Sequence, residues 1–176
     1  MQIADALTLI REIPDFPEPG IRFQDITPLL ANAEAFTAVT HEFSALTNKE
    51  ALVAGIEARG FIFASALANN IGSGFVPIRK AGKLPHISIS QSYGLEYGAA
   101  TLEIHVDAIN AGDTIVLVDD VLATGGTLKA AIDLIHLCGG SVTDVLVLLE
   151  IAGLAGRELL TNTFPALKLT SLALIK

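Results

Sequence analysis

Five short stretches of the 176-residue chain are apolar almost throughout, and they constrain its fold more than any other feature. They lie at residues 51–56, 75–78, 114–118, 142–149 and 167–174. Segments with the helical spacing of apolar residues separate most of them. Strands that are apolar on both sides belong to a parallel sheet covered by helices on both faces. The sequence therefore predicts an α/β fold, with a doubly wound, mostly parallel sheet of about five strands flanked by helices.

Two regions depart from this pattern. Residues 86–106 alternate apolar and polar side chains around a long glycine-containing tip, which predicts a hairpin-like excursion. Residues 1–31 begin with helical spacing and continue into a proline-rich stretch that predicts a stiff loop, before Asn32 caps an amphipathic helix. With 51% hydrophobic residues the chain can bury one sizeable core. We expect a single domain over residues 1–176, with an N-terminal segment at 1–31 and the α/β core at 32–176.

Charge and composition exclude several classes of function. A net charge of −8 argues against broad nucleic-acid binding, which requires a basic face. The apolar runs are far shorter than the roughly 18 residues of a membrane span, and the first residues lack the pattern of a signal peptide. The four histidines and the single cysteine show no metal-ligand spacing. We expect a cytoplasmic protein with no nucleic-acid or membrane partner, and with no direct protein ligands for a metal.

Three polar segments follow predicted strands directly. They are residues 57–60, 79–83 and 119–127. Ligands of doubly wound sheets bind beyond the carboxyl ends of the strands. The sequence therefore predicts that these three segments meet at one edge of the sheet and form the functional site.

The third segment, within VLVDDVLATGGT, combines carboxylates with a glycine-rich loop. Asp119 and Asp120 are acceptors for the hydroxyls of a sugar or for a hydrated divalent cation. The run from Thr124 to Thr127 at a helix start offers backbone N–H groups and hydroxyls to a phosphate. The lysine of a P-loop and the spacing of a dinucleotide-binding loop are both absent. A ribose that carries a 5′-phosphate satisfies both halves of the segment.

This segment resembles the binding motif for phosphoribosyl pyrophosphate (PRPP) of the type I phosphoribosyltransferases. In that family the two acidic residues hold the ribose hydroxyls and the loop holds the 5′-phosphate. The resemblance implies PRPP-binding roles for Asp119, Asp120, Ala123, Thr124, Gly125, Gly126 and Thr127.

The pyrophosphate group of PRPP requires cations, and the first two segments supply them. Arg59 follows a predicted strand, and Arg79, Lys80 and Lys83 form the densest basic cluster in an acidic chain. Both segments resemble the adenine branch of the family. That resemblance implies pyrophosphate binding by Ala58, Arg59, Arg79 and Lys83, in a homodimer in which Arg79 reaches the partner's site and Lys83 acts in its own.

Two further segments resemble the parts of the adenine branch that contact the base. The tip at residues 92–98 is similar to the flexible catalytic loop, which implies catalytic roles for Glu96 and Tyr97, beside Arg59. Residues 16–30 are similar to the purine hood, in which Phe23 packs on adenine and neighbouring backbone groups at Arg22 and Gln24 read its polar edge. Ile151 matches an apolar position on the other side of the base. Gln24 is a departure, since many relatives carry arginine there.

The resemblance covers residues 10–160 and implies a purine salvage enzyme. Its expected reaction transfers the 5-phosphoribosyl group from PRPP to adenine, giving AMP and pyrophosphate, with Mg²⁺ held mainly by PRPP and water. Two alternatives remain at this point. One is transfer to xanthine, hypoxanthine, guanine or orotate, and the other is a regulator that binds PRPP without catalysis.

Overall fold

A computed structural model describes residues 1–95 and 98–176 of the chain. It divides into two compact units, Met1–Leu46 and Thr47–Lys176. The amphipathic helix after Asn32, which the sequence groups with the α/β core, thus falls in the first unit. Among the described residues, no helix combines the length and the apolar character that a bilayer crossing requires.

The first unit consists of three helices and a two-stranded antiparallel sheet within its described residues. In chain order its elements are α1 (Ile3–Leu7), β1 (Arg11–Pro14), β2 (Arg22–Asp25), α2 (Thr27–Ala31) and α3 (Ala33–Leu46). The prediction of a helix after an Asn32 cap is confirmed, because Asn32 Oδ1 accepts the Ala35 N–H at 3.0 Å. This bond satisfies one of the donors that every helix start leaves open.

The β1–β2 pair is a feature that the prolines conceal in the sequence, where the region is predicted to be a loop. Arg11 pairs with Asp25 in register, and its Nη2 lies 2.5 Å from Asp25 Oδ2. Asp25 Oδ1 also accepts the Thr27 N–H at 2.9 Å. Hydrogen bonds from Thr27 and Arg11 lower the pKa of Asp25 to about 2. The ionised carboxylate therefore ties the end of β2 both to β1 and to the start of α2.

The second unit contains the α/β sheet. Its elements are β3 (Leu52–Ile56), α4 (Arg59–Ile71), β4 (Phe75–Lys80), β5 (Ser88–Leu95), β6 (Gly98–His105), β7 (Thr114–Leu122), α5 (Gly126–Leu137), β8 (Ser141–Ile151), α6 (Gly156–Thr163) and β9 (Lys168–Ile175). The strand order is β5-β6-β4-β3-β7-β8-β9, and the five strands from β4 to β9 in this order are parallel.

The prediction of a doubly wound, mostly parallel sheet is confirmed, but the described sheet has seven strands rather than about five. The predicted hairpin supplies the other two, because β6 pairs antiparallel with the end of β4, with Arg79 opposite Glu103. The hairpin is therefore an extension of the sheet edge, joined to it by backbone hydrogen bonds.

Strand alternation divides the sheet between two layers of helices. Ala54 and Ile56 of β3 belong to a buried cluster that also contains the inner face of α5 and Leu160 of α6. The intervening position, Gly55, faces α4, where a Cβ atom would lie 2.5 Å from that of Ala64. Helices therefore cover both faces of the strands, as their continuous apolar sequence requires.

The site position follows from the strand order. From β3 the chain crosses to β4 on one side, whereas β7, on the other side of β3, is followed outward by β8 and β9. The order therefore reverses between β3 and β7. A crevice opens at such a switch point beyond the carboxyl ends of the two strands, and here these ends are Ile56 and Leu122.

Replacing Asn32 by Ala is expected to destabilise the first unit. The substitution removes the side-chain acceptor of the Ala35 N–H, and we expect a loss of about 0.5–2 kcal/mol in the free energy of unfolding. Urea titration of both proteins measures the difference. Asn32→Asp is the matched control, because its carboxylate accepts the same bond, and equal losses in the two variants would contradict the capping role.

Candidate active site

The crevice between β3 and β7 brings two of the three predicted segments together. Arg59, at the start of α4, reaches across it to Asp120, and its Nη2 lies 2.5 Å from Asp120 Oδ2. The two groups form an ion pair, but the Arg59 N–H groups do not point at Asp120 Oδ2 closely enough to form a hydrogen bond. The Asp120 side chain is only 7% exposed, whereas that of Arg59 is 32% exposed. The resemblance implies pyrophosphate binding for Arg59 and ribose binding for Asp120, and the two side chains are in contact here.

A glycine lets α4 start directly against β7. A Cβ atom at Gly60 would lie 2.7 Å from Asp119 Oδ1 and 3.0 Å from the Val118 carbonyl oxygen. Only a residue without a side chain permits this approach. The positive end of α4 therefore lies beside Asp119, whose Oδ1 also accepts the Asp120 N–H at 2.9 Å.

Both carboxyl groups are buried, and burial changes their ionisation. Desolvation and the neighbouring charge of Asp120 raise the pKa of Asp119 well above its ordinary value. Desolvation also raises the pKa of Asp120, although Arg59 and hydrogen bonds oppose the change. Two acidic groups in contact and out of water are costly for a fold to keep. They suit a ligand that donates hydrogen bonds to them, as sugar hydroxyls do.

The predicted phosphate loop lies after β7, next to Asp119. Gly125 has a left-handed φ of +84° and precedes α5, so the chain turns sharply into the helix. A cavity of about 120 Å³ lies between this loop and Asp119 and is lined by Ala123, Thr124, Gly125 and Thr127. The start of α5 adds backbone N–H groups and the positive end of the helix dipole. The cavity is therefore suited to an anion close to the two carboxyl groups.

Gly156, which the sequence analysis missed, fixes the outer wall of this loop. A Cβ atom at Gly156 would overlap the Ala123 carbonyl oxygen and would lie 3.0 Å from the Gly125 nitrogen. The residue begins α6, some thirty positions after the loop in sequence. Its only signal in the sequence is a glycine between an apolar run and a helix, which is also typical of an ordinary turn.

Arg157 anchors the start of α6 to the sheet. Its guanidinium donates to Glu150 and to the Leu169 carbonyl oxygen at 3.0 Å, and Ser171 Oγ donates to Glu150 Oε2 at 2.8 Å. Hydrogen bonds from Arg157 lower the pKa of Glu150, so the pair is ionised near neutral pH. Ile151, the predicted base contact, lines a second cavity of about 390 Å³ beside this pair.

The remaining predicted segment, residues 79–83, also lies at this edge, and Glu57 holds it there. Lys83 Nζ lies 2.6 Å from Glu57 Oε1, and Arg79 contacts both oxygens of the same carboxylate at 3.3–3.4 Å. The Lys80 N–H adds a bond of 3.0 Å. Burial disfavours the ionised form, but these hydrogen bonds outweigh it and lower the pKa of Glu57 to about 2. The peptide between Glu57 and Ala58 is cis.

The remaining predicted residues are placed as follows. Glu96 and Tyr97 lie outside the described residues. Ahead of them on β5, Gly94 O and Tyr93 Cδ2 lie 3.5 Å from the Cβ position of Gly126. Arg22, Phe23 and Gln24 belong to β2 of the first unit. There Phe23 packs edge-to-face on Phe16, and Gln24 is buried with its amide 3.5 Å from Glu12 Oε2 and the Arg22 carbonyl oxygen.

Comparison with known proteins gives three concordant results. A phosphoribosyl transferase domain matches residues 23–160. An adenine phosphoribosyltransferase from a Nocardioides species is 52% identical over 164 residues, which cover 90% of this chain and 89% of the relative. The crystal structure of adenine phosphoribosyltransferase from Thermoanaerobacter pseudethanolicus has a TM-score of 0.91 and 43% identity, covering 99% of this chain and all of that one.

A further similar structure contains ligands. It is the adenine phosphoribosyltransferase of Saccharomyces cerevisiae, complexed with an imino-altritol bisphosphate and adenine. Its TM-score is 0.90 at 33% identity, and the alignment covers 97% of both chains.

Replacing Asp119 by Asn is expected to stabilise the fold at neutral pH. Folding raises the pKa of this carboxyl above its unfolded value, so stability falls as pH rises from the unfolded pKa through the folded one. The neutral amide of the variant lacks this cost, and we expect a gain on the order of 1 kcal/mol at pH 7 that shrinks as pH falls towards about 4. Urea unfolding at both pH values measures it.

The control for this substitution is Asp133→Asn, which removes a carboxylate that is 28% exposed from an ion pair with Lys129 within α5. It should give no gain at pH 7. A lower stability of the Asp119→Asn variant at pH 7 would contradict the assignment of Asp119 as a costly buried charge.

Replacing Gly156 by Ala is expected to weaken phosphate binding, because the new methyl group displaces the Ala123 carbonyl. Overpacking of this kind costs about 1–3 kcal/mol, which corresponds to roughly 5- to 150-fold in affinity when the cost falls on the bound state. Calorimetric titration with ribose 5-phosphate measures the effect. The exposed Glu158→Ala in the same helix is the control, and equal affinities of the Gly156→Ala variant and the unmodified protein would refute the contact's role.

Proposed function

The chain belongs to the type I phosphoribosyltransferase family, within its adenine phosphoribosyltransferase branch, and we infer from this that it transfers the 5-phosphoribosyl group of PRPP to adenine. The products are AMP and pyrophosphate, and the reaction salvages a free purine. The relatives at about half identity support this activity, as do two similar structures, one complexed with adenine and the other with 9-deazaadenine.

One structural observation carries the proposal. Two buried carboxyl groups, an arginine and an anion-sized cavity meet at the switch point of the sheet. We propose that Asp119 and Asp120 accept hydrogen bonds from the ribose hydroxyls. The loop from Ala123 to Thr127 then holds the 5′-phosphate. The adjacency of Asp119 to the loop supports this division, because the two ends of one ribose 5-phosphate lie a few ångströms apart.

The proposed chemistry is displacement at the anomeric carbon of the ribose. The bond from adenine N9 to this carbon forms as its bond to the pyrophosphate oxygen breaks, and pyrophosphate leaves with the electron pair. Charge then accumulates on the leaving group, and fixed cations stabilise it. Arg59, Arg79 and Lys83, with the backbone at Ala58, are proposed for this role. Glu96 and Tyr97 are proposed to close over the base and to assist loss of its N9 proton.

Adenine recognition is proposed for the residues that the family resemblance identifies. Phe23 would stack on the base, the backbone at Arg22 and Gln24 would read its polar edge, and Ile151 would contact its other side. The Gln24 side chain is turned towards Glu12 and the Arg22 carbonyl within the first unit. This supports recognition by the backbone at position 24, for which glutamine serves as well as arginine.

A requirement for Mg²⁺ is also proposed. Among residues 1–95 and 98–176, no group of three or more His, Cys, Asp or Glu side chains could hold a metal ion. Asp120 faces Arg59, and Asp119 Oδ1 lies beside Gly60 and accepts the Asp120 N–H. These donors fit an ion that is held mainly by oxygens of PRPP and by water. When bound, Mg²⁺ neutralises charge on the pyrophosphate group.

Three broader proposals complete the description. Both compact units are proposed to work as one phosphoribosyltransferase domain, which the match over residues 23–160 supports because it includes parts of both. A homodimer with Arg79 reaching the partner's site remains a proposal from the family resemblance. A cytoplasmic location remains a prediction from the sequence.

A panel of bases tests the activity. Purified protein with PRPP and Mg²⁺ receives adenine, hypoxanthine, guanine, xanthine or orotate, and pyrophosphate release is measured against a sample without base. We expect kcat/KM for adenine to exceed the other values by about 100-fold or more, because a site built for one polar edge leaves groups unpaired with another. Pyrophosphate release with xanthine but not with adenine would show that adenine is not the base. PRPP binding without pyrophosphate release would contradict the proposal that the protein is an enzyme.

A further inference from the structure

Glu57 is the centre of a polar cluster with Arg79 and Lys83. The proposed reaction assigns roles to the two cations but none to Glu57. It directly follows β3, and its side chain is 9% exposed. Its neighbours Arg79 and Lys83 are 33% and 48% exposed, so their side chains are more accessible to solvent than the carboxylate is. An ionised group buried beside two cations at the site edge requires an explanation, because the fold gains little from a buried ion pair alone.

The hydrogen bonds of Glu57 occupy its acceptor capacity. Oε1 accepts from Lys83 Nζ and Arg79 Nη2, and Oε2 accepts from Arg79 Nε and the Lys80 N–H. An ionised carboxylate has about four acceptor positions. Glu57 therefore directs its charge to its own cluster and presents little of it to an approaching anion.

The cations keep donors beyond those that the described contacts use. Lys83 gives one of its three N–H groups to Glu57. Arg79 gives two of five to Glu57 and a third to the Lys83 carbonyl oxygen at 3.0 Å. Two cations and one anion leave the cluster with a net positive charge. Both side chains can thus remain on Glu57 while they donate to a second anion.

The turn that carries these cations is fixed from its other side as well. Gly82 adopts a left-handed φ of +79°, and its N–H donates to Glu103 Oε2 at 3.0 Å. Glu103 lies on β6 opposite Arg79. Glu103 thus restrains the backbone of the turn, whereas Glu57 restrains the two charged side chains.

We propose that Glu57 is a positioning residue for the pyrophosphate group of PRPP, holding the Arg79 and Lys83 side chains in place with their remaining donors available to its oxygens. This inference rests on the proposed function. Long cationic side chains lose conformational freedom when they bind an anion, and Glu57 removes part of that loss beforehand. If Arg79 serves the partner's site in a dimer, Glu57 positions a cation for the other protomer.

Steady-state kinetics of the full-length protein with Glu57→Gln tests this inference. The glutamine amide turns a donor towards the donors of Arg79 or Lys80 and removes the charge that holds Lys83. We expect the KM for PRPP to rise roughly tenfold, as for one lost charge-assisted bond. The KM for adenine should stay within about twofold. Glu57→Asp, which keeps the charge, should recover part of the PRPP affinity.

The matched control is Glu103→Gln, whose amide oxygen still accepts the Gly82 N–H. It should leave the KM for PRPP unchanged. A second test combines Glu57→Gln with Lys83→Met. If Glu57 acts through Lys83, the Glu57→Gln effect on KM is smaller in the Lys83→Met background than in the unmodified protein.

The outcomes separate this inference from the proposed function. Failure of the unmodified protein to form AMP from adenine and PRPP refutes the function. With an active unmodified protein, an unchanged or lower KM for PRPP in Glu57→Gln overturns the positioning role. Equal increases in both KM values also overturn it, because they indicate a general structural defect. Full additivity with Lys83→Met overturns positioning of Lys83, because it shows that the two side chains act independently. If Glu57→Gln unfolds, the same comparison is made with Glu57→Asp, alone and combined with Lys83→Met.

Discussion

The arrangement of the site follows from two adjacent carboxyl groups that are kept out of water at the end of β7. Asp119 and Asp120 lie where β7 leaves the core, and burial raises the pKa of each. The surrounding structure compensates for them with the Arg59 ion pair, the Asp120 N–H and the start of α4. A chain that only needed stability would place apolar groups here. The cost of burying these carboxyl groups is understandable if a sugar completes their hydrogen bonding. Functional sites commonly depart in this way from what stability alone favours.

Much of the architecture follows from local patterns in the sequence, and the exceptions have physical reasons. The parallel strands and their polar ends were predicted, because buried strands are apolar throughout and ligands collect at their carboxyl ends. The β1–β2 pair was not, because prolines and charged residues hide its short alternation. The hairpin was predicted without its pairing to β4, since alternation identifies a strand but not its neighbour.

The residues of the candidate site also divide into those that the sequence reveals and those that it does not. Asp119 to Thr127 form one strand–loop–helix unit, so their proximity is local and visible in the sequence. Glu57 and Gly156 act through residues more than twenty positions away, on Arg79 and Lys83 in one case and on Ala123 in the other. Neither has an unusual local pattern. Their importance arises from the tertiary structure, which brings separate loops to one edge of the sheet.

The close approach of Gly156 to the proposed phosphate loop also links ligand binding to the completion of the fold. The loop is shaped against α6, and α6 is held by Arg157 to Glu150 of β8 and to the Leu169 carbonyl of β9. The outermost strand, β9, thus contributes to the shape of this loop through α6. A ligand that requires this loop geometry favours the docked state of β9 over its local opening, by thermodynamic linkage. Amide hydrogen exchange in β9 therefore becomes a remote reporter of ligand occupancy in the cavity beside this loop.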